Sequence, residues 1–367
     1  MSAQPSRPPS STSNKSALEE IKPEGADVPE EQKAGWASFI KSLARMTGDL
    51  SSMTAPPFIL SPTSLTEFPA YWCEHPAAFA SISEGKDQFD RSERSRNEKM
   101  GSEKKPLNPV LGELFYGVWP DENGRGETKL VVEQVSHHPP ITAYYIENVK
   151  AGVKLQGHSG QKTSFTGTSI NVKQSGHAIL TVKPKNGDPQ EKYLITLRMS
   201  FSPPSSSTGY TAQIDYKGKG YFSGKAHSFK ATITKSGKIL QSYEGQWTGN
   251  SYIGKKNGHL FLDMNEAKEE VTVKPIEEQG EWESRKLWEK VAKGIRSQNY
   301  DEAGREKSRI ENEQRQRRKD EAAAGITWQH VHFTHVDSDE EYQSLAELLH
   351  DKLTPAHEDA YVFKANI

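Results

Sequence analysis

From residue 111 to residue 263 apolar and polar positions alternate in short runs, not in helical stripes. The runs 129–135, 141–147, 164–172, 178–182, 193–199, 210–216, 229–234 and 239–247 alternate or are β-branched. Gly, Asn, Ser and Pro separate them about every 8–12 residues, which predicts an antiparallel meander. So many consecutive strands leave costly edges unless the sheet curls. The expected fold class is therefore mainly β with α additions, a large antiparallel near-complete β-barrel. Side chains alone do not fill a barrel of this many strands, so a ligand cavity is expected inside it.

Helical periodicity flanks the β region. Trp36, Phe39, Ile40 and Leu43 fall at i, i+3, i+4 and i+7 of one helix, which Gly48 can end. A helix this short is marginal alone. It either packs on a core or acts as a mobile lid that also meets membrane interfaces. Ser64 as N-cap with Glu67 three residues on predicts a short helix to Trp72. The highly charged residues 83–104 read as a surface segment. Residues 281–297 carry Trp282, Leu287, Trp288 and Val291 on a mixed amphipathic face, and 300–324 reads as a helix polar all round. On that helix Lys307, Glu311 and Arg315 share one face, either as a solvated ion-pair ladder or as the wall of a site. In the acidic tail Tyr342, Leu345, Leu348 and Leu349 line one helical face.

Composition narrows the partners. The 367 residues suffice for one large domain or two, yet only 33% are hydrophobic. Mean hydropathy is −0.80. A tail over residues 1–33, rich in Pro, Ser, Glu and Lys and expected to be disordered, accounts for part of this. The net charge of −2 offers no global attraction to nucleic acid or anionic membrane, so no nucleic-acid partner is expected and any anion site must be local. The single cysteine, Cys73, excludes an intrachain disulfide and a Cys-rich zinc site. No apolar run approaches membrane-spanning length, and the N-terminus lacks the apolar core of a signal peptide. A cytosolic protein with peripheral membrane contact is expected.

The densest chemistry lies in Glu133-Gln134-Val135-Ser136-His137-His138-Pro139-Pro140. The prolines must end the strand before them. Two neighbouring imidazoles repel when both are charged, so an anion such as phosphate between them would stabilise the protonated pair. A buried, hydrogen-bonded His pair in a turn is the alternative. The glycines of residues 217–225 are not a phosphate loop, because no helix and no Gly-Lys-Ser/Thr ending follow.

That octapeptide resembles the signature of the oxysterol-binding-protein family of lipid-transfer proteins. Lys105-Pro106-Leu107-Asn108-Pro109-Val110-Leu111-Gly112-Glu113 resembles the family's other hallmark. The likeness runs from about Trp36 to Trp328 and is nearest to short fungal members consisting of the lipid-binding domain alone. It implies such a domain over 34–328, with a lid at 34–50, an N-terminal segment at 51–110, a β-barrel at 111–265, a helical subdomain at 276–324 and a C-terminal tail at 329–367. It implies that Lys105, His137, His138 and Arg315 bind the phosphates of phosphatidylinositol 4-phosphate. Lys307 and Glu311 would contact the inositol head group and its remaining phosphate. The cavity becomes a lipid tunnel, with Leu50, Ile59 and Leu65 at lid and rim and Trp72 and Gln174 near the deep end. Trp36, Phe39, Ile40 and Leu43 form the lid.

The resemblance further implies no cofactor beyond a bound lipid, a sterol or other neutral lipid competing for the tunnel, and exchange of the two between membranes such as Golgi and endoplasmic reticulum. Residues 341–347 loosely resemble a motif for tethering to the endoplasmic reticulum. One interval departs from the family: residues 84–95 are shorter by roughly twenty residues, with Ser92 and Glu93 opposite a sterol-contacting Gln-Tyr pair, while Ser159 stands opposite a tunnel Asn. The resemblance therefore predicts an opened barrel wall there. Two other functions remain open: a lipid sensor or scaffold without transfer, and a phosphoesterase using the His pair with Glu133. Adjacent histidines on a strand point to opposite faces, which disfavours joint metal ligation.

Overall fold

The computed structural model describes residues 30–45, 55–94, 104–165, 170–196, 200–201, 209–217, 227–255, 258–263, 266–348 and 360–364. The N-terminal part holds helix α1 (Lys33–Arg45), strand β1 (Leu60–Ser64), a 3-10 helix (Leu65–Cys73), α2 (Pro76–Ser81), α3 (Gln88–Arg94) and β2 (Lys105–Leu107). The capping residues act as expected: the Ser64 N–H donates to the Glu67 carboxylate at 3.3 Å. Pro69 lies inside the turn they start, and the segment winds as a 3-10 helix.

Then come β3 (Leu114–Trp119), β4 (Thr128–His137), β5 (Pro140–Asn148), β6 (Val153–Phe165), β7 (Ile170–Ser175), β8 (His177–Val182) and β9 (Glu191–Thr196). They form one antiparallel sheet in the order β3-β4-β5-β6-β8-β9, with β7 on the far half of β6. The run read as one strand over 164–172 therefore divides between the end of β6 and the start of β7. Gly176, at φ +109°, lets β7 and β8 follow each other along β6. A Cβ there would lie 2.2 Å from the His158 carbonyl oxygen.

A second sheet runs in sequence order through β10 (Ser200–Phe201), β11 (Tyr210–Lys217), β12 (Ser228–Lys235), β13 (Lys238–Gln246), β14 (Asn250–Ile253) and β15 (Leu260–Asp263). Among the described residues the two sheets are not hydrogen-bonded to each other. Helix α3 spans from one to the other. Its Arg91 pairs with Glu191 on β9, its Glu93 accepts from the Tyr243 hydroxyl on β13, and Phe89 packs 6.0 Å from Tyr210 on β11. The reading of 83–104 as a surface segment is corrected at Arg91, while residues 95–103 lie outside the described residues. Arg91 is fully buried, because Glu191, Asp188 and the Gly85 carbonyl satisfy its guanidinium. Within the shortened interval this helix occupies residues 88–94.

The C-terminal part begins with α4 (Ser284–Leu287), α5 (Glu289–Arg296) and α6 (Tyr300–Ala323). Asn299 caps α6 by accepting the Glu302 N–H at 3.2 Å. Trp288, Val291, Ile295 and Ile310 pack with Leu60 and Leu107 in a core separate from that of the first sheet. Residues beyond Trp328 fold back as β16 (Phe333–Val336), α7 (Glu340–Glu347) and β17 (Ala360–Phe363). Phe333 is buried beside Val135 and Ala143. Tyr342 and Leu345 are buried against Ile179 and Leu194, as a helical face requires, while Leu348 stays exposed and Leu349 lies outside the described residues. The tethering-like stretch is thus helical here, with its aromatic residue covered.

Candidate functional site

Three separate segments converge on one pocket of about 150 Å³, on the order of ten times the space a single water needs. β2 contributes Lys105, the β4–β5 hairpin contributes His137 and His138, and α6 contributes Lys307, Glu311, Gln314, Arg315 and Arg318. Asn108 and Val110 complete the wall beside Ala55 and Leu60.

Local chemistry aims the hairpin. Between Gln134 and Ser136 the register against β5 shifts, a bulge of the kind that redirects a side chain. β4 ends at His137, the turn is His138-Pro139 with a cis peptide, and β5 starts at Pro140. Pro140 is the first residue of its strand, where proline is tolerated. The expectation that the two rings point apart is overturned, because His138 is a turn residue. Its ring lies 4.7 Å from that of His137, edge to face. His137 Nδ1 donates to the Pro109 carbonyl at 2.9 Å, leaving only Nε2 for a ligand. Burial, then the neighbouring His138 and Arg318, hold the His137 pKa below the ordinary imidazole value.

The α6 face is both an ion-pair ladder and a pocket wall. Glu311 pairs with Lys307 and lies 3.8 Å from the Arg315 guanidinium, which also donates to Asn312 at 2.7 Å. Lys307 is buried, unlike a solvated ladder, whereas Arg315 is exposed. Lys105 is open to water at the pocket mouth but surrounded by protein. Burial and then the Lys307 charge lower its pKa, against the pull of Glu311. Four basic side chains and two imidazoles thus face one carboxylate. Sequence reasoning missed Asn108, Gln314 and Arg318. The signal for the last two was present, since they extend the Lys307 stripe to i+7 and i+11.

The carboxylates of the two motifs do other work. Buried Glu113 accepts from the Ser64 and Thr66 hydroxyls, the Val110 N–H and the Trp288 indole. Buried Glu133 accepts the Val331 and His332 N–H groups at 2.8 Å each and holds the C-terminal segment on the sheet.

The lid and tunnel residues fall into two places. On α1, Trp36 stacks on Phe39 at 5.6 Å and meets Phe58 edge-on, Ile40 is buried, and Leu43 belongs to the same helix. Phe39 and Ile59 pack against the helical core that backs the pocket. Leu65 begins the 3-10 helix that continues to Trp72. Trp72 packs on the first sheet's core, stacked on Tyr144 at 6.2 Å. The register Tyr144↔Gly157 and Gln161↔Gln174 puts Gln174 on the Tyr144 face of that sheet. Leu50 lies outside the described residues.

The family model described as "Oxysterol-binding protein" matches residues 38–202. The chain is 53% identical to Protein KES1 of Mycosarcoma maydis, covering 94% of this chain and 98% of that protein. It is 43% identical to Protein kes1 of Schizosaccharomyces pombe, covering 86% and 91%. The solved Osh1 ORD domain in complex with cholesterol superposes with a TM-score of 0.69, at 21% identity over 96% of this chain and 94% of that one. The Osh3 ORD in complex with PI(4)P from Saccharomyces cerevisiae gives 0.59, at 21% identity over 84% and 88%. At such identities these likenesses establish the fold, mainly β with added helices.

Proposed function

Because the chain belongs to the oxysterol-binding protein family, we propose that it is a lipid-exchange protein. In this reading it binds phosphatidylinositol 4-phosphate and a sterol or other neutral lipid in turn and carries them between membranes. The observation that carries the reading is the convergence of Lys105, His137, His138, Lys307, Arg315 and Arg318 on one pocket with a single carboxylate. A phosphomonoester carries close to two charges at neutral pH and needs several such donors to leave water. Arg offers a planar fork for its oxygens, Lys a point charge, and Glu311 an acceptor for inositol hydroxyls.

The two sheets are read as parts of a near-complete barrel, with the lipid tunnel between the Trp72–Tyr144 stack and the pocket. Trp72 and Gln174 on the Tyr144 face of the first sheet, and Ile59 against the core that backs the pocket, support that course. The α1 helix with Trp36, Phe39, Ile40 and Leu43 would close over the cargo, and one cavity for two lipids makes their binding exclusive. Among the described residues no helix is long and apolar enough to cross a membrane. The protein is proposed to work from the cytoplasm, meeting organelle membranes peripherally. Nothing in the pocket favours a phosphoesterase: Glu311 is ion-paired and Glu133 is engaged with backbone N–H groups.

Replacing His137 and His138 with Ala together is expected to lower extraction of phosphatidylinositol 4-phosphate from liposomes at least about tenfold, since each hydrogen bond to a charged group contributes about 1.5–3 kcal/mol. Sterol uptake should survive. Undiminished extraction would sink the site. Transfer between two liposome populations, with and without the α1 segment, separates exchange from sensing.

A second expectation concerns protons. His137 Nδ1 already donates to a carbonyl, so Nε2 donates to an anion only when the ring is protonated. Its lowered pKa leaves the free ring mostly neutral at pH 7. Head-group binding should therefore take up a proton, read as a dependence of calorimetric enthalpy on the buffer's ionisation enthalpy. The uptake should shrink in the His137→Ala protein; equal uptake in both contradicts the assignment.

A further inference from the structure

The β12–β13 hairpin ends in an exposed tip. Its turn is Ser236-Gly237, both at positive φ (50° and 78°), a geometry that closes a tight two-residue hairpin. Lys235 and Lys238 flank the turn as direct cross-strand partners. Like charges placed opposite each other destabilise a ladder, so this pairing is a local cost that a nearby anion would relieve. Ile239 and Leu240 follow at once and are exposed by 61% and 41%. The ladder shifts register beside them, between Ile233 and Thr234, an irregularity of the β-bulge kind that re-aims side chains. Residues 228–241 contain no Asp or Glu, and neither do residues 250–260 of the neighbouring hairpin. There, Gly254 is bonded to Ser242, and exposed Lys255 follows toward the same end of the sheet. Lys235 also lies 4.3 Å over the ring of Tyr210, an amphipathic side chain of the kind found at membrane interfaces.

We infer that this tip docks the protein on an anionic lipid surface, with Ile239 and Leu240 entering the bilayer interface and Lys235, Lys238 and Lys255 meeting the lipid phosphates. Two aliphatic side chains on a narrow hairpin are too small a patch for a stable protein interface, which buries roughly 1,200 Å² or more. They suit a bilayer, where a few apolar side chains and nearby lysines act together. The chain's net charge of −2 gives no general attraction to such a surface, so the attraction must come from a local basic patch such as this one. The inference deepens the lipid-exchange reading by naming a place where the protein meets the membrane.

The test uses the full chain and two variants at the exposed tip, Lys235→Gln/Lys238→Gln and Ile239→Ser/Leu240→Ser. Binding is measured by co-sedimentation with phosphatidylserine-containing vesicles and with neutral phosphatidylcholine vesicles, both free of phosphoinositide and sterol. Wild type should prefer the anionic vesicles. Each lysine near the surface contributes about fivefold, so the lysine variant should bind them about thirtyfold more weakly. The aliphatic variant should weaken binding to both vesicle types. Equal binding by wild type and the variants, no preference of wild type for anionic vesicles, or self-association abolished by Ile239→Ser/Leu240→Ser would overturn the inference. Binding of soluble inositol 1,4-bisphosphate, measured in parallel, reports on the pocket alone. Its loss in wild type would count against the lipid-exchange reading, and unchanged vesicle binding in the variants against the tip.

Discussion

Arg91→Ala lowers the unfolding free energy by about 3–5 kcal/mol, the usual result of removing one partner from a buried ion pair. Arg91 and Glu191 are almost wholly shielded from water, with side-chain exposures of 0% and 3%. The pair is bidentate, through Nε at 3.0 Å and an Nη at 2.6 Å, and the same guanidinium donates to Gly85 O at 2.7 Å and to Asp188 at 2.8 Å. Alanine leaves the Glu191 carboxylate in the interior, where among the described residues the Tyr193 hydroxyl still donates to it. Arg91→Lys keeps the charge but loses the planar fork, so it should fall between alanine and wild type. The loss also loosens the link between the sheets, because Phe89 and Glu93 reach the second sheet from the same helix. Urea denaturation measures the effect. An Arg91→Ala midpoint indistinguishable from wild type would mean that α3 is ornamental and the wall is held by something else.

This residue shows where the sequence stops being readable. In a run as charged as residues 84–95 an arginine reads as solvated, and the partner that buries it lies 100 positions further along the chain. Nothing local announces the pairing. The β class was legible because alternation is a local property, and the α6 face was legible because helical spacing brings Lys307, Glu311 and Arg315 together with no tertiary information. The His137-His138 geometry was half legible. Prolines end a strand predictably, but whether the second histidine belongs to the strand or to the turn depends on the Val135 bulge, which has no sequence mark of its own. The roles of Glu113 and Glu133 were hidden for the same reason as that of Arg91. Their donors come from segments as distant as Trp288 and His332, so a motif that reads as chemistry proves to be partly scaffolding.

Glu113→Ala should cost about as much as the loss of Arg91, about 3–5 kcal/mol. Four donors converge on that carboxylate, and water does not reach it. The Ser64 and Thr66 hydroxyls can re-pair with each other and with Ser284. The Val110 N–H and the Trp288 indole cannot, and each buried donor left unpaired costs about 1–3 kcal/mol. Val110 lines the pocket and Trp288 sits in the core behind it, so head-group affinity should fall together with stability. Glu113→Gln keeps one acceptor and isolates the charge. Burial raises the Glu113 pKa in the folded protein, although its hydrogen bonds from Ser64, Trp288, Thr66 and Val110 oppose the shift. A raised folded value means that the group's contribution is fully present below its unfolded pKa, about 4.3, and is lost as pH rises through the folded value. The glutamine does not titrate, and every other group is common to both proteins. The stability of wild type relative to Glu113→Gln should therefore decline from about pH 4 upward. Denaturant midpoints of the pair across that range decide it: a difference that stays flat, or grows in favour of wild type, would show that the four donors outweigh burial and that the carboxylate is at home in its charged form.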